Sequence, residues 1–438
     1  MSYGLVSILL LLSIVQWSRV QSVYYQPDQI HLAYGDEPTE MVVTWSTFND
    51  TNSSTVEFGI KVLDQVANGY STLFVDGGDE HRKQFIHRVK LTGLKPSQKY
   101  WYHCGSDLGW SDLFYFQAMP DGNQWSPKLA IYGDLGNVNA RSLGRLQQEV
   151  QRGVYDAILH VGDFAYDLDS DNARVGDDFM RQIEPLASLL PYMVCVGNHE
   201  GPYNFSNYKN RFSMPGTENN LMYSFNMGPV HFIGISTEFY YFIKYGIKQI
   251  VKQFSWLEKD LKEANLPENR RLRPWIVTYG HRPMYCSNAD HDDCNYHETL
   301  VRVGVPILHW FGLEKLFYTY GVDLELWAHE HSYERLWPVY NREVYNGSLE
   351  APYVNPGAPV HITTGSAGCQ EDHDTFRPNV PPWSAFHSVD YGYSRMTVHN
   401  ATHLYFEQVS DDQDGKVIDK IWIVKNKHGP YSEPNETN

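Results

Sequence analysis

Oxygen and nitrogen donors recur in this sequence at the ends of apolar runs. Asp134 follows the run 129–132, and Asp163 and Tyr166 follow 157–161. Asn198 and His199 follow 191–196, His281 follows 275–279, and His329 and His331 follow 322–327. Taken alone, each stretch reads as a strand followed by a turn. Five of the same shape point to a shared site, because sheets of this kind bind ligands at the carboxyl ends of their strands. The donor set suits two hard or borderline cations, and a phenolate oxygen such as that of Tyr166 suits a highly charged ion such as ferric iron. A His-x-His pair can splay its imidazoles toward different ions, with a carboxylate such as Asp163 between them. Two cations ~3.5–4 Å apart can clamp a phosphate ester and generate hydroxide at mild pH. In-line displacement calls for that arrangement, since charge builds on both the attacking and the leaving oxygen.

The elements that would position these donors alternate between strand and helix from residue 125 onward. Leu143, Leu146 and Val150 fall at helical spacing between the first two runs, and Phe254, Leu257, Leu261 and Ala264 mark a second amphipathic helix. This alternation predicts a layered α/β domain over 125–425. The runs 403–409 and 417–424 flank Asp411-Asp412-Gln413-Asp414-Gly415, a hairpin signal. Residues 340–395 read as long and irregular, and 426–438 as a polar tail. Residues 23–120 read as all-β, with strands at 41–45, 89–102 (two strands and a turn) and 114–116, which predicts a β-sandwich. Its Leu91-x-x-Leu94-x-Pro96-x-x-x-Tyr100 pattern resembles the fibronectin type III corner. No catalytic cluster falls in this part, so its expected role is packing or positioning.

The apolar run 5–15, followed by small residues at 20 and 22, predicts a signal peptide over 1–22. No later segment is long and apolar enough to span a bilayer. Six N-x-S/T sequons, at Asn49, Asn52, Asn204, Asn346, Asn400 and Asn435, fit a glycosylated secreted protein, with the lysosome as the alternative address. Of the five cysteines, Cys286 and Cys294 flank a short polar loop and could pair. Cys195 reads as a buried free thiol, and Cys104 and Cys369 stay unassigned. A net charge of −17 argues against nucleic acid and anionic membranes as partners. An anionic substrate would then need strong local positive charge, which a metal centre provides.

At the strand ends the sequence resembles the purple acid phosphatases, which are calcineurin-like metallophosphoesterases. Gly133-Asp134-Leu135-Gly136, Gly162-Asp163-Phe164-Ala165-Tyr166, Gly197-Asn198-His199-Glu200, residues 277–281 and His329-Glu330-His331 match their five motif blocks in order. The likeness is closest to the long animal form, which also carries a fibronectin-like N-terminal domain. The resemblance implies a β-sandwich core flanked by helices and an acid phosphatase that hydrolyses phosphate monoesters or phosphopeptides with a hydroxide activated by two metals. Cleavage of diesters or nucleotides by the same metal pair is one alternative, and a secreted binding protein with an inactive catalytic domain is another. It further implies one ferric ion on Asp134, Tyr166 and His331. A divalent zinc, iron or manganese ion would sit on Asn198, His281 and His329, with Asp163 bridging. Tyrosinate bound to iron would make the protein purple, and His199 would contact the phosphate. Plant members place a proton-donating histidine ten residues after the fourth-block ligand, an offset held here by His291, with His297 as competitor. Two departures stand out: Ala328 replaces the usual Gly of the last block, and Val277 lies four residues before His281. Gly365-Ser366-Ala367-Gly368 reads as a loop supporting the ligands from behind. His31, His160, His309, His361 and His403 are expected to be structural.

Overall fold

The computed structural model describes residues 23–216 and 219–432. The expected signal peptide, Asn435 and the end of the polar tail lie outside the described residues. The N-terminal sandwich pairs a four-stranded sheet, ordered Asp28–Tyr34, Met41–Thr47, Lys83–Leu91 and Tyr70–Val75, with a five-stranded sheet. The latter is built on Thr55–Gly59, Gln65–Asn68, Lys99–Ser106, Gly109–Trp110 and Phe114–Gln117. Trp45, Tyr100, Tyr102 and Phe116 fill its core. The Tyr100 hydroxyl accepts the Lys95 N–H at 2.9 Å, closing the corner that the Leu-x-x-Leu-x-Pro-x-x-x-Tyr pattern signals. Strands Gln65–Asn68 and Tyr70–Val75 escape a sequence reading because most of their side chains are exposed, which erases the apolar alternation.

After the sandwich, the strands read from sequence fall in two separate sheets. In the six-stranded sheet, Tyr192–Cys195, Ala157–Val161 and Lys128–Tyr132 run parallel. Gly392–Val398, His403–Ser410 and Lys416–Val424 continue it antiparallel, the last two forming the expected hairpin. In the seven-stranded sheet, Val230–Gly234, Trp275–Tyr279, Leu324–Trp327 and Val360–Thr364 run parallel, with Tyr223–Met227, Tyr333–Leu336 and Ser384–Ser388 added antiparallel. Both sheets contribute to one apolar core. Helix Leu143–Gln151 buries Leu146 and Val150, and helix Lys248–Ala264 buries Leu257, Leu261 and Ala264.

The structure corrects the reading of 340–395 as irregular. Val360–Thr364 is a fully buried strand inside the sheet, and Ser384–Ser388 and Gly392–Val398 are strands too. The run at 360–364 is short, follows Pro359 and holds His361 and two threonines, so its apolar signal is weak. Residues 167–178 lead from the second donor turn into helix Ser170–Ala187, whose first turn is irregular.

That helix docks the sandwich. The Ile30 N–H donates to Glu184 at 2.9 Å and the Tyr102 hydroxyl to the Ser188 carbonyl at 2.8 Å. Arg211, 1% exposed, bonds Asp177 at 2.9 Å, Gln29 at 3.0 Å and the Ala173 carbonyl at 3.0 Å. Arg82 reaches the same Asp177 at 2.5 Å. Breaking a buried, hydrogen-bonded ion pair from one side costs roughly 3–5 kcal/mol. Arg211→Ala is therefore expected to lower unfolding stability by about that amount in urea titrations. A loss under ~1 kcal/mol would show that this arginine does not hold the two units together.

Candidate metal centre

Each predicted donor leaves its strand through a turn that aims it at one point. Asp134, Asp163, Tyr166 and His329 all have positive φ, between 51° and 70°. Such strain in non-glycine residues persists only where the surroundings fix it, and it gathers at functional sites. Glycines make the close approaches possible. A Cβ on Gly197 would lie 2.1 Å from Asp163 Oδ1, and one on Gly365 would lie 2.7 Å from Asp134 Oδ2. The loop 365–368 therefore touches the ligands, as the sequence suggests. The methyl of Ala328 fills the space in front of Gly133, where an added Cβ would come within 2.3 Å of it. This departure from the motif thus packs without displacing its neighbours.

Two groups of donors result. The Tyr166 hydroxyl is 2.9 Å from Asp134 Oδ1 and 2.8 Å from His331 Nε2. His281 Nε2 is 3.0 Å from Asn198 Oδ1 and 3.1 Å from Asp163 Oδ2. One donor atom each from Asp163, His281 and His329 lies within 4.8 Å of the others. Each carboxylate spends one oxygen on a backbone N–H: Asp163 Oδ1 accepts from His199 and Asp134 Oδ2 from His329, both at 3.0 Å. The imidazoles are fixed from behind. His281 Nδ1 donates to the Val161 carbonyl at 2.9 Å and His331 Nδ1 to the Asp372 carbonyl at 3.0 Å, leaving each Nε2 lone pair facing the centre.

The electrostatics call for cations. Asp134 and Asp163 are buried, and neither pairs with a lysine or arginine among the described residues. Burial, then the charge of Asp163, pushes Asp134 well above the usual carboxylate range. Burial also acts to raise Asp163, but His281 and His199 hold it low. Burial and then Asp134 push the Tyr166 phenol up. Buried charges of one sign require a partner, and these oxygen and nitrogen donors fit a pair of metal ions.

Around them stand groups that sequence reasoning missed. Glu200 is buried, and its carboxylate accepts the N–H groups of Asp163 at 3.0 Å, Phe164 at 3.0 Å and Gly197 at 2.9 Å, tying two ligand loops together. Its place directly after Asn198-His199 is the only sequence signal. Arg282 places Nη1 2.9 Å from His329 Nε2 and pairs with Glu238 at 3.0 Å. Cys286 and Cys294 form a disulfide, and the loop it closes brings Asp292 and Asp293 to 3.4 and 3.5 Å from His329 Nε2. Cys104, Cys195 and Cys369 are free and buried.

His199 lies over Tyr166, with ring centres 4.3 Å apart, and its Nδ1 is 2.5 Å from Asp167. Burial opposes its charge, yet the bond to Asp167 prevails and lifts its pKa to about 9. His291 is exposed at the tip of the disulfide-closed loop, and its carbonyl accepts from the Tyr296 hydroxyl. Among the described residues its ring contacts none of the seven donors. His297 is exposed as well.

Comparison with known proteins agrees with this geometry. Residues 27–118 match the purple acid phosphatase N-terminal domain, 127–333 the calcineurin-like phosphoesterases, and 358–420 the iron/zinc purple acid phosphatase-like protein C domain. The chain is 57% identical over 416 residues to acid phosphatase type 7 of Danio rerio, covering 92% of this chain and 93% of that one. The chain belongs to the purple acid phosphatase family. It is 57% identical to the Homo sapiens acid phosphatase type 7 over 402 residues, 91% of each chain. The purple acid phosphatase PPD1 of yellow lupin superposes with a TM-score of 0.77 at 25% identity, covering 92% of this chain and 75% of that one. Like its family, the protein is a metal-dependent phosphoester hydrolase with a binuclear centre.

Replacing Glu200 by Gln would turn an amide N–H₂ toward backbone N–H donors. An unsatisfied buried donor costs ~1–3 kcal/mol. Glu200→Gln is expected to lower thermal stability and to reduce bound metal below two ions per chain, measured by elemental analysis. Full metal content at unchanged stability would refute the bracing role.

Proposed function

We propose that this hydrolase acts on phosphate monoesters at acid pH with ferric iron and a divalent ion, zinc, iron or manganese. Asp134, Tyr166 and His331 would hold the ferric ion, and Asn198, His281 and His329 the divalent one, with Asp163 shared. The observation carrying this reading is the buried Tyr166 phenol between Asp134 and His331, a hard-donor set suited to a trivalent ion. Bound there, the pair would supply positive charge for the phosphate and lower the pKa of water, the ferric ion more strongly, which suits an acidic optimum.

The chain's own residues do the positioning. Glu200 and the glycine contacts fix the ligand loops. The bond from Asp167 to His199 Nδ1 keeps a proton on that atom and turns Nε2 toward Asp163, at 3.9 Å. From there Nε2 can donate a hydrogen bond to a phosphate oxygen or to the departing alkoxide. His291, in the loop closed by Cys286 and Cys294, remains the proposed proton donor to the leaving group by its offset from His281. The six sequons and the apolar N-terminal run support a secreted glycoprotein, with the lysosome as the alternative. Asn52, Asn204 and Asn400 are exposed, as glycan attachment requires.

Asp163→Ala is expected to lose both ions and nearly all turnover of p-nitrophenyl phosphate; retained activity would end the bridging assignment. Tyr166→Phe is expected to abolish the visible absorption band, and an unchanged spectrum would remove that phenol from the iron. Preference for p-nitrophenyl phosphate over its bis ester supports the monoester reading, whereas the reverse order would make the protein a diesterase.

A further inference from the structure

We propose that a groove between the sandwich and the segment after helix Pro202–Arg211 is a second anion site, separate from the metal centre, for phosphate or a phosphate monoester. The groove has a volume of about 600 Å³ and shares no residue with the seven donors. Arg88 and Lys209 line it. The Arg88 guanidinium donates to Ser213 Oγ and Thr72 Oγ1, each at 2.9 Å, and to the Asn210 carbonyl. All three partners are neutral, and among the described residues Arg88 has no carboxylate partner. Lys209 has no ion pair among the described residues and lies over the Phe205 ring at 5.7 Å. Burial draws both groups below their usual pKa values, a cost that a bound anion would relieve.

Lys90 and Asp36 also line the groove, and they neutralise each other at 2.5 Å, with Glu40 adding a second contact to Lys90 at 3.2 Å. Asp36 is further engaged by the Gly216 N–H at 2.6 Å. Two cations that have no carboxylate partner among the described residues thus face a space larger than a bare phosphate fills. Phe212 and Met214 give part of its wall an apolar character suited to the organic body of an ester. A fixed guanidinium fork beside an ammonium recognises a doubly charged oxyanion.

Equilibrium dialysis of the holoenzyme with radiolabelled inorganic phosphate at millimolar concentration tests the site. Two phosphates per chain are expected, one of them at the metal centre. Arg88→Met/Lys209→Met is expected to bind one. Lys209→Met alone, which disturbs no hydrogen bond, is expected to weaken the second event by roughly tenfold, the value of one charge-assisted contact. An unchanged product-inhibition constant in these variants would show an intact metal centre. One phosphate per chain in the unaltered enzyme, or two in every variant, would overturn the proposal. Tighter binding of non-hydrolysable phenylphosphonate than of phosphate at the second site identifies an ester as its ligand, and the opposite order identifies free phosphate.

Discussion

Two carboxylates, Asp134 and Asp163, are buried and form no ion pair with a lysine or arginine among the described residues, and the rest of the catalytic domain answers that constraint. Desolvating a carboxylate without a counter-charge is too costly for a fold whose net stability is only ~5–15 kcal/mol. Protonating both would relieve the cost, but His281 and His199 hold Asp163 in its charged form. The consistent solution is a pair of cations, and the imidazoles, the amide of Asn198 and the phenol of Tyr166 complete their surroundings.

The backbone is shaped to keep that arrangement rigid. Strands from two sheets deliver the donors, so no single loop can carry the centre away. Glycine at 197 and 365 lets backbone pass the carboxylates at distances that any side chain would block. Glu200 locks the loops behind them with three backbone hydrogen bonds, and Arg282, anchored by Glu238, braces the His329 side. Such outer groups set the orientation and basicity of the ligands as much as the ligands' own identity does. The N-terminal sandwich contributes no donor. It clamps helix Ser170–Ala187 through Arg211 and Tyr102, and that helix begins four residues after Tyr166.

Much of this was legible in the sequence for a physical reason. Parallel strands buried on both faces are written as short continuous apolar runs, and a glycine with a polar residue after each run marks the exit turn. Such a mark follows four of the five runs that carry a donor, and Ala328 stands in place of the glycine after the fifth. The pairing of Cys286 with Cys294 was legible from their short separation. Strand Val360–Thr364 was not, because its threonines and His361 resemble loop residues until the burial of the sheet is known. Nor were Glu200 and Arg211, whose importance comes from burial among groups distant in sequence. The ten-residue offset places His291 in the disulfide-closed loop, where Asp292 and Asp293 are the side chains near His329; counting residues cannot fix how a loop turns.

The proposed centre holds two neighbouring cations among seven side chains, one of the cations being iron. Anomalous diffraction from crystals of the purified protein, recorded on both sides of the iron absorption edge, measures this directly. An iron peak is expected among Asp134, Tyr166 and His331, and a second metal peak beside it among Asn198, His281 and His329, with Asp163 between. A single peak, or an iron peak remote from the Tyr166 oxygen, would contradict it.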